Sequence, residues 1–321
     1  MQRSATGVAV GDLQRRLMAA GFDLDDESGV FGPGTEAAVR RFQEDRGLHA
    51  DGTCAEQTWA SLVEAGWRLG DRFLYLRRPM LRGDDVADLQ ARLGGLGFHH
   101  GRVDGIFGPD SAGAVREFQR NTGLVSDAIF GRDTAAALAR LSARAAATAI
   151  VGDVRERDQR AREPRRLAGR RVVVGESGGL DALATSVART LKEAGAFVTV
   201  LHHPDGSVQA SDANAFGADC YLGVHLRSDP GCTASYFGTP RWESPGGRIL
   251  ASIVVDELGS GVLVEGESTC RAMAVPVLRE TRMPAVLCEV GPPAVVVARL
   301  AELADGLGRA VSRWAEAPVE A

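Results

Sequence analysis

GVFGPGTEAAVRRFQ, residues 29–43, returns as GIFGPDSAGAVREFQ at residues 105–119, an offset of 76 residues. The match extends to both sides without a gap. Leu13-Gln14, Leu17 and Gly21-Phe22 meet Leu89-Gln90, Leu93 and Gly97-Phe98, and Gly47-Leu48, Thr58 and Leu62 meet Gly123-Leu124, Thr134 and Leu138. A constant offset over more than fifty residues marks a duplicated domain. Within each copy the apolar residues recur at helical spacing (Val10, Leu13, Leu17; Ala38, Val39, Phe42), and Gly21 and Gly47 punctuate them. The pattern predicts three short helices per copy, with Thr35 capping the second helix of the first copy and Asp110 or Ser111 that of the second. Phe31, Phe42, Phe107 and Phe118 are expected in the cores.

Length and composition frame the remainder. The chain of 321 residues has room for two or three domains, with 45% apolar and 25% charged residues, as in an ordinary globular protein. A net charge of -5 gives no global attraction to nucleic acid, and no run of about 18 apolar residues predicts a membrane span. The opening MQRSATGVAVGDLQRRL has no apolar core of a signal peptide, and the five cysteines are odd in number and scattered. Both observations lead to the expectation of a cytoplasmic protein with reduced thiols, mostly buried as small hydrophobes.

After the second copy, residues 142–170 grade from Ala-rich into an Arg-rich stretch with Pro164 and Gly169. They read as a charged connector that could dock an acidic or phosphorylated partner. From Arg171 strand and helix alternate: RVVV, then the helical LATSVARTLKEAGA, then FVTVLHH, CYLGVHL, TASYFGT, a helix in GGRILASIVVDELGS, the strand AVLCEV and a long closing helix. The domain organisation expected is thus 7–65 and 80–141 for the helical copies, 142–170 for the connector and 171–315 for an α/β domain. The fold class is mixed: two all-α three-helix repeats followed by an α/β domain with a largely parallel sheet. The strand AVLCEV is unusual in holding Glu289 at the centre of an apolar run, which is costly unless the carboxylate has a partner. A nearby arginine such as Arg279 or Arg282 is the expected partner.

The repeats resemble the peptidoglycan-binding type 1 family, on the pattern LQ..L...G, G.FG..T..AV..FQ and GL..DG..G..T...L. That resemblance implies recognition of cell-wall peptide stems beside the FG loop, with the loop residues Asp25, Asp26, Arg102 and Asp104 as glycan-binding candidates, or use of the unit for protein docking. Residues 171–315, on the phrases ADCYLGVHLRSD and VLRETRMPAVLCEVG, resemble the zinc-dependent N-acetylmuramoyl-L-alanine amidases of the amidase type 3 family. In that family two His and one Glu hold zinc, and a Glu in a later strand is the catalytic base that activates the metal-bound water. Carried over, His225 matches the second histidine and Glu289 the catalytic glutamate. The first motif is altered: VVVGESGG stands where VVLDPGHGG is expected, which puts Ser177 at the histidine and leaves Glu176 as the nearby carboxylate, with His202 or His203 as further donors. The resemblance therefore implies no cofactor, or zinc if the amidase site is active, with His225 and Glu176 as its ligands. The combined architecture is similar to a group of actinobacterial cytoplasmic proteins that regulate peptidoglycan precursor synthesis by contacting biosynthetic enzymes, notably the UDP-N-acetylglucosamine enolpyruvyl transferase, some under Ser/Thr phosphorylation. The expectation is a catalytically impaired regulator that binds peptidoglycan or its precursors and a cell-wall biosynthetic enzyme. The alternatives are an active amidase cleaving the muramic acid–L-alanine amide and a protein-docking scaffold.

Overall fold

The computed structural model describes residues 1–142, 165–239, 242–259, 263 and 266–317; most of the connector predicted at 142–170 lies outside them. The chain divides into two compact units, residues 1–155 and 156–321.

Among the described residues the first unit contains six helices in two sets of three: α1 (Val8–Ala19), α2 (Pro33–Asp45) and α3 (Glu56–Ala65), then α4 (Asp84–Gly95), α5 (Pro109–Asn121) and α6 (Arg132–Ser142). Each set closes around its own core. Leu13, Leu17, Phe31, Val39, Phe42 and Leu62 fill the first, and Leu89, Leu93, Phe107, Val115, Phe118 and Leu138 fill the second. Four buried glutamines tie the loops to these helices, and they act as two equivalent pairs. Gln14 donates to Val30 O at 3.0 Å and Thr35 Oγ1 at 3.1 Å, and accepts from the Gly29 amide at 2.8 Å. Gln90 repeats this with Ile106 O and Ser111 Oγ, both at 3.1 Å, and the Gly105 amide at 2.9 Å. Gln43 and Gln119 do the same for the later loop, each donating to the hydroxyl of Thr58 or Thr134 at 3.1 Å.

This corrects one expectation. Neither Thr35 nor Asp110 or Ser111 is the N-cap of its helix. The caps are Gly32 and Gly108, followed by a proline at the first helical position, where its missing N–H costs no hydrogen bond. The Thr35 and Ser111 hydroxyls instead face inward to the glutamines.

The second unit is a seven-stranded sheet in the order β2-β1-β3-β7-β4-β5, with β6 pairing β4. Its elements are β1 (Arg171–Glu176), α7 (Asp181–Glu193), β2 (Phe197–His202), α8 (Gly206–Phe216), β3 (Cys220–Leu226), β4 (Gly231–Thr239), β5 (Trp242–Glu243), α9 (Pro245–Gly259), β6 (Glu267–Met273), α10 (Pro276–Glu280), β7 (Ala285–Gly291), α11 (Pro293–Ala298) and α12 (Leu300–Glu316). Strands β2, β1, β3 and β7 run parallel, β4 runs antiparallel to β7, and β6 runs parallel to β4. The fold class is the expected one, with β6 as an addition.

Period-two alternation sorts the sheet into two faces. Val172, Val174, Leu222, Val224, Val286, Cys288 and Val290 pack with α7, α9 and α12 into the main core, which ends at the fully buried Trp314. The other face carries Gly175, Tyr221, Gly223, His225, Leu287 and Glu289, towards α8 and α10. Four of the five cysteines are buried as expected, and Cys270, on the less covered β6, is exposed. Among the described residues no helix is long and apolar enough to cross a membrane.

Candidate functional site

In open α/β sheets, ligands bind in the crevice at the carboxyl ends of the strands. Here that end carries a row of polar side chains. Glu176 pairs with Val224 in the register of β1 with β3, so Ser177, the next residue, comes level with His225. His225 in turn pairs with Glu289 on β7, and Glu289 with Thr233 on β4. Ser177 Oγ and His225 Nε2 share a hydrogen bond of 3.1 Å. Glu289 makes its ion pair with Arg271 of β6, Nη2 to Oε2 at 3.4 Å. This corrects the expected partner, Arg279 or Arg282: the cation comes from a strand that the sequence did not reveal, while the Arg282 amide is bound to Asn214. Arg227 donates to Thr233 Oγ1 at 2.7 Å, which closes the row on the β4 side.

The floor below the row is rigid. Tyr221 Oη donates to Gln209 Oε1 at 2.6 Å, and Gln209 Nε2 donates to the Glu176 carbonyl at 3.0 Å. Burial pushes the Tyr221 hydroxyl well above its ordinary pKa, so it remains a hydrogen-bond donor. Gly175 lies directly over this pair, and a Cβ there would collide with Tyr221 Oη and Gln209 Oε1. The glycine thus lets the buried tyrosine cross beneath the strand end.

Glu176 belongs elsewhere. Strand alternation turns it to the face opposite Ser177 and His225, where it is 5% exposed. Its Oε2 accepts from the amides of Gly178 at 2.7 Å and Leu180 at 3.3 Å, at the entrance of α7, and Oε1 meets His202 Nδ1 at 3.0 Å. Burial raises its pKa, but the His202 hydrogen bond and the two amides outweigh that and hold the carboxyl below its usual range. His203 is separate again, its Nδ1 accepting from the Asp205 amide at 3.0 Å.

A catalytic zinc takes three protein ligands and keeps a fourth position open. Among the described residues no group of three or more His, Cys, Asp or Glu side chains could hold a metal. The donors do not suit zinc: Glu176 and His225 stand on opposite faces, and His225 Nε2 is bonded to the Ser177 hydroxyl.

In the helical unit the four loop candidates divide by role. Asp26 accepts from the amides of Gly34, at 3.2 Å, and Thr35. Burial pushes its pKa up, but the amide bonds prevail and hold it low. Asp104 accepts from Gln90 Nε2 at 2.9 Å and the Ile106 amide at 2.8 Å. Both carboxylates therefore brace their own loops. Asp25 is exposed and Arg102 half-buried. A cavity of about 360 Å³ lies beside α5 instead, lined by His99, Asp110, Arg116, Glu117 and Arg120 among others.

Residues 6–62 and 82–138 match the peptidoglycan binding domain family. Beyond them, N-acetylmuramoyl-L-alanine amidase CwlM of Mycobacterium tuberculosis is 32% identical over 324 residues, spanning 91% of this chain and 78% of that protein. The chain belongs to the CwlM family. It has the two peptidoglycan-binding domains and the amidase-type domain of that family. N-acetylmuramoyl-L-alanine amidase CwlL of Bacillus licheniformis is 31% identical over 160 residues, which is 43% of this chain and 44% of that protein. The crystal structure of N-acetylmuramoyl-L-alanine amidase from Clostridium difficile 630 aligns with 44% of this chain and 95% of its own, at 20% identity and a TM-score of 0.38.

Within this CwlM-family chain, sequence reasoning passed over Arg271, Tyr221, Gln209 and the residues lining the α5 cavity. The signal for Tyr221 was slight, a large polar aromatic in a strand whose neighbour carries a glycine, Gly175, two positions beyond its register partner Val173. Arg271 gave no signal, because β6 is an edge strand with mostly exposed positions.

Proposed function

We propose that this cell-wall protein binds peptidoglycan or its precursors and regulates peptidoglycan synthesis from the cytoplasm, through contact with a biosynthetic enzyme, without hydrolysing the muramic acid–L-alanine amide by zinc chemistry. One observation supports this above the others: the Ser177–His225 hydrogen bond at 3.1 Å, with Glu176 committed to the opposite face. A metal-activated water needs a cation with several donors, and here the His225 imidazole is engaged by a hydroxyl while the His202 imidazole is held between Glu176 and Asp181.

The test is metal content and amidase assay together. The full chain, loaded with zinc and then dialysed, is expected to hold far less than one zinc per molecule and to leave muropeptide amides intact. One tightly held zinc, with amide cleavage that disappears in Glu289→Ala, would defeat the proposal.

A further inference from the structure

Ser177 sits in Gly175-Glu176-Ser177-Gly178-Gly179, where β1 gives way to α7. A serine two residues from a glycine on each side, between a strand and a helix, is the setting in which α/β-hydrolases raise a nucleophilic hydroxyl above a sheet. The spacing alone is a weak signal, but three features of the structure add to it. The Ser177 hydroxyl is bonded to an imidazole, His225 Nε2, at 3.1 Å. A carboxylate, Glu289, stands in register with His225 on the next strand and on the same face, so three adjacent parallel strands present Ser, His and Glu in that order. The turn that follows is exposed: Gly178 and Gly179 have φ of 134° and 87°, and a Cβ on either would meet nothing within 4 Å, while Ser177 itself is half-buried. In this turn the left-handed conformation falls on the two glycines after the serine, and Glu176 fixes them from the far side through the Gly178 amide.

We propose that Ser177, His225 and Glu289 form a nucleophilic site that takes the acyl group of a carboxylic ester. Ser177 Oγ attacks the ester carbonyl carbon as His225 Nε2 accepts the hydroxyl proton. The C–O bond to the alcohol breaks, and the same proton leaves with the alcohol. Water then attacks the acyl-serine, gives its proton to Nε2, and releases the acid as the proton returns to Ser177 Oγ. No oxidant, metal or second substrate is required. Glu289, in register with His225 and ion-paired to Arg271, is assigned as the positioning residue whose charge favours the imidazolium that forms. An ester is favoured over an amide for two reasons. The Gly178 and Leu180 amides are already given to Glu176, which leaves this turn poor in donors for a developing oxyanion. An alkoxide also leaves with less help than an amine.

The experiment uses the full chain in excess chelator, so zinc-dependent cleavage cannot contribute and the result is separable from the reading above. A fluorophosphonate probe is added and the adduct mapped by mass spectrometry, with p-nitrophenyl acetate turnover measured in parallel. The expected result is one adduct, on Ser177. Labelling and turnover should be absent in Ser177→Ala, slowed about 100-fold or more in His225→Ala, and slowed about tenfold or more in Glu289→Gln with partial recovery in Glu289→Asp. Mapping on the unaltered chain does not depend on any variant folding. The proposal is overturned by no adduct under conditions that label a control hydrolase, by an adduct on another residue, or by an unchanged labelling rate in His225→Ala.

Discussion

Both units place polar side chains deep among apolar ones, but to opposite ends. In the helical repeats each buried glutamine is saturated by its own loop: Gln119 donates to Thr134, Asp127 and the Ile129 carbonyl at 3.1, 2.8 and 3.0 Å, and accepts from the Ala128 amide at 2.9 Å. These bonds all stay within one repeat, and the same arrangement is repeated in the other copy. At the strand ends of the α/β domain the polar groups are bonded chiefly to one another, and Ser177 and His225 stay half-exposed. A buried polar residue whose bonds all go to adjacent backbone is architecture. One that shares its bonds with other reactive side chains at an open strand end is material for a site.

That contrast is open to attack, beginning where the expected effect is largest. Gly175→Ala should damage the α/β domain by about 3 kcal/mol or more, since its methyl would collide with Tyr221 Oη and Gln209 Oε1. Urea unfolding would measure this, and a loss below 1 kcal/mol would show that the floor yields. Next, Gln14→Ala and Gln90→Ala should each cost about 2–3 kcal/mol, because each strands a buried hydroxyl and a loop amide. The two losses should agree closely, and a large inequality would break the equivalence of the repeats. Glu176→Gln is expected to cost about 1 kcal/mol at neutral pH, as loss of a helix-entrance acceptor does.

The Glu176 carboxyl also gives a pH dependence. Its folded-state pKa lies below the ordinary value of 4.5, so its stabilisation is complete above that pH and disappears as pH falls through the lower folded value. The unaltered protein should therefore lose stability more steeply than Glu176→Gln below about pH 4.5 in acid titration followed by circular dichroism. The smallest effect belongs to Arg271→Ala. Its ion pair with Glu289 is long, at 3.4 Å, and the arginine is 47% exposed, so a change under about 1 kcal/mol is expected by thermal melting.

The repeats were legible because their signals are local. Phe42 and Phe118 report a helix face, and Gly47 and Gly123 a stop, without knowledge of anything distant. The hydroxyls of Thr35 and Ser111 misled for the same reason: helix starts attract such residues, and only the fold shows that a glutamine some twenty positions earlier claims them. In the α/β domain His225 and Glu289 could be read from strand context, but Glu176 could not be placed. Its face depends on the register of β1 against β3, which no single strand encodes. Arg271 was hidden because β6, with the exposed Glu267, Cys270, Arg271 and Ala272, lacks the apolar alternation of a covered strand.

The cavity beside α5 has one more implication. Glu117 and Arg120 stand in the second repeat where the first has Arg41 and Glu44, and Arg41 donates to the Asp23 carbonyl at 2.7 Å. The charges are exchanged at these two positions, while Arg116 keeps its sign in Arg40. A ligand whose acidic and basic ends fit one copy would meet the reverse polarity on the other. Where these two residues touch a ligand, duplication of the domain would not by itself supply avidity.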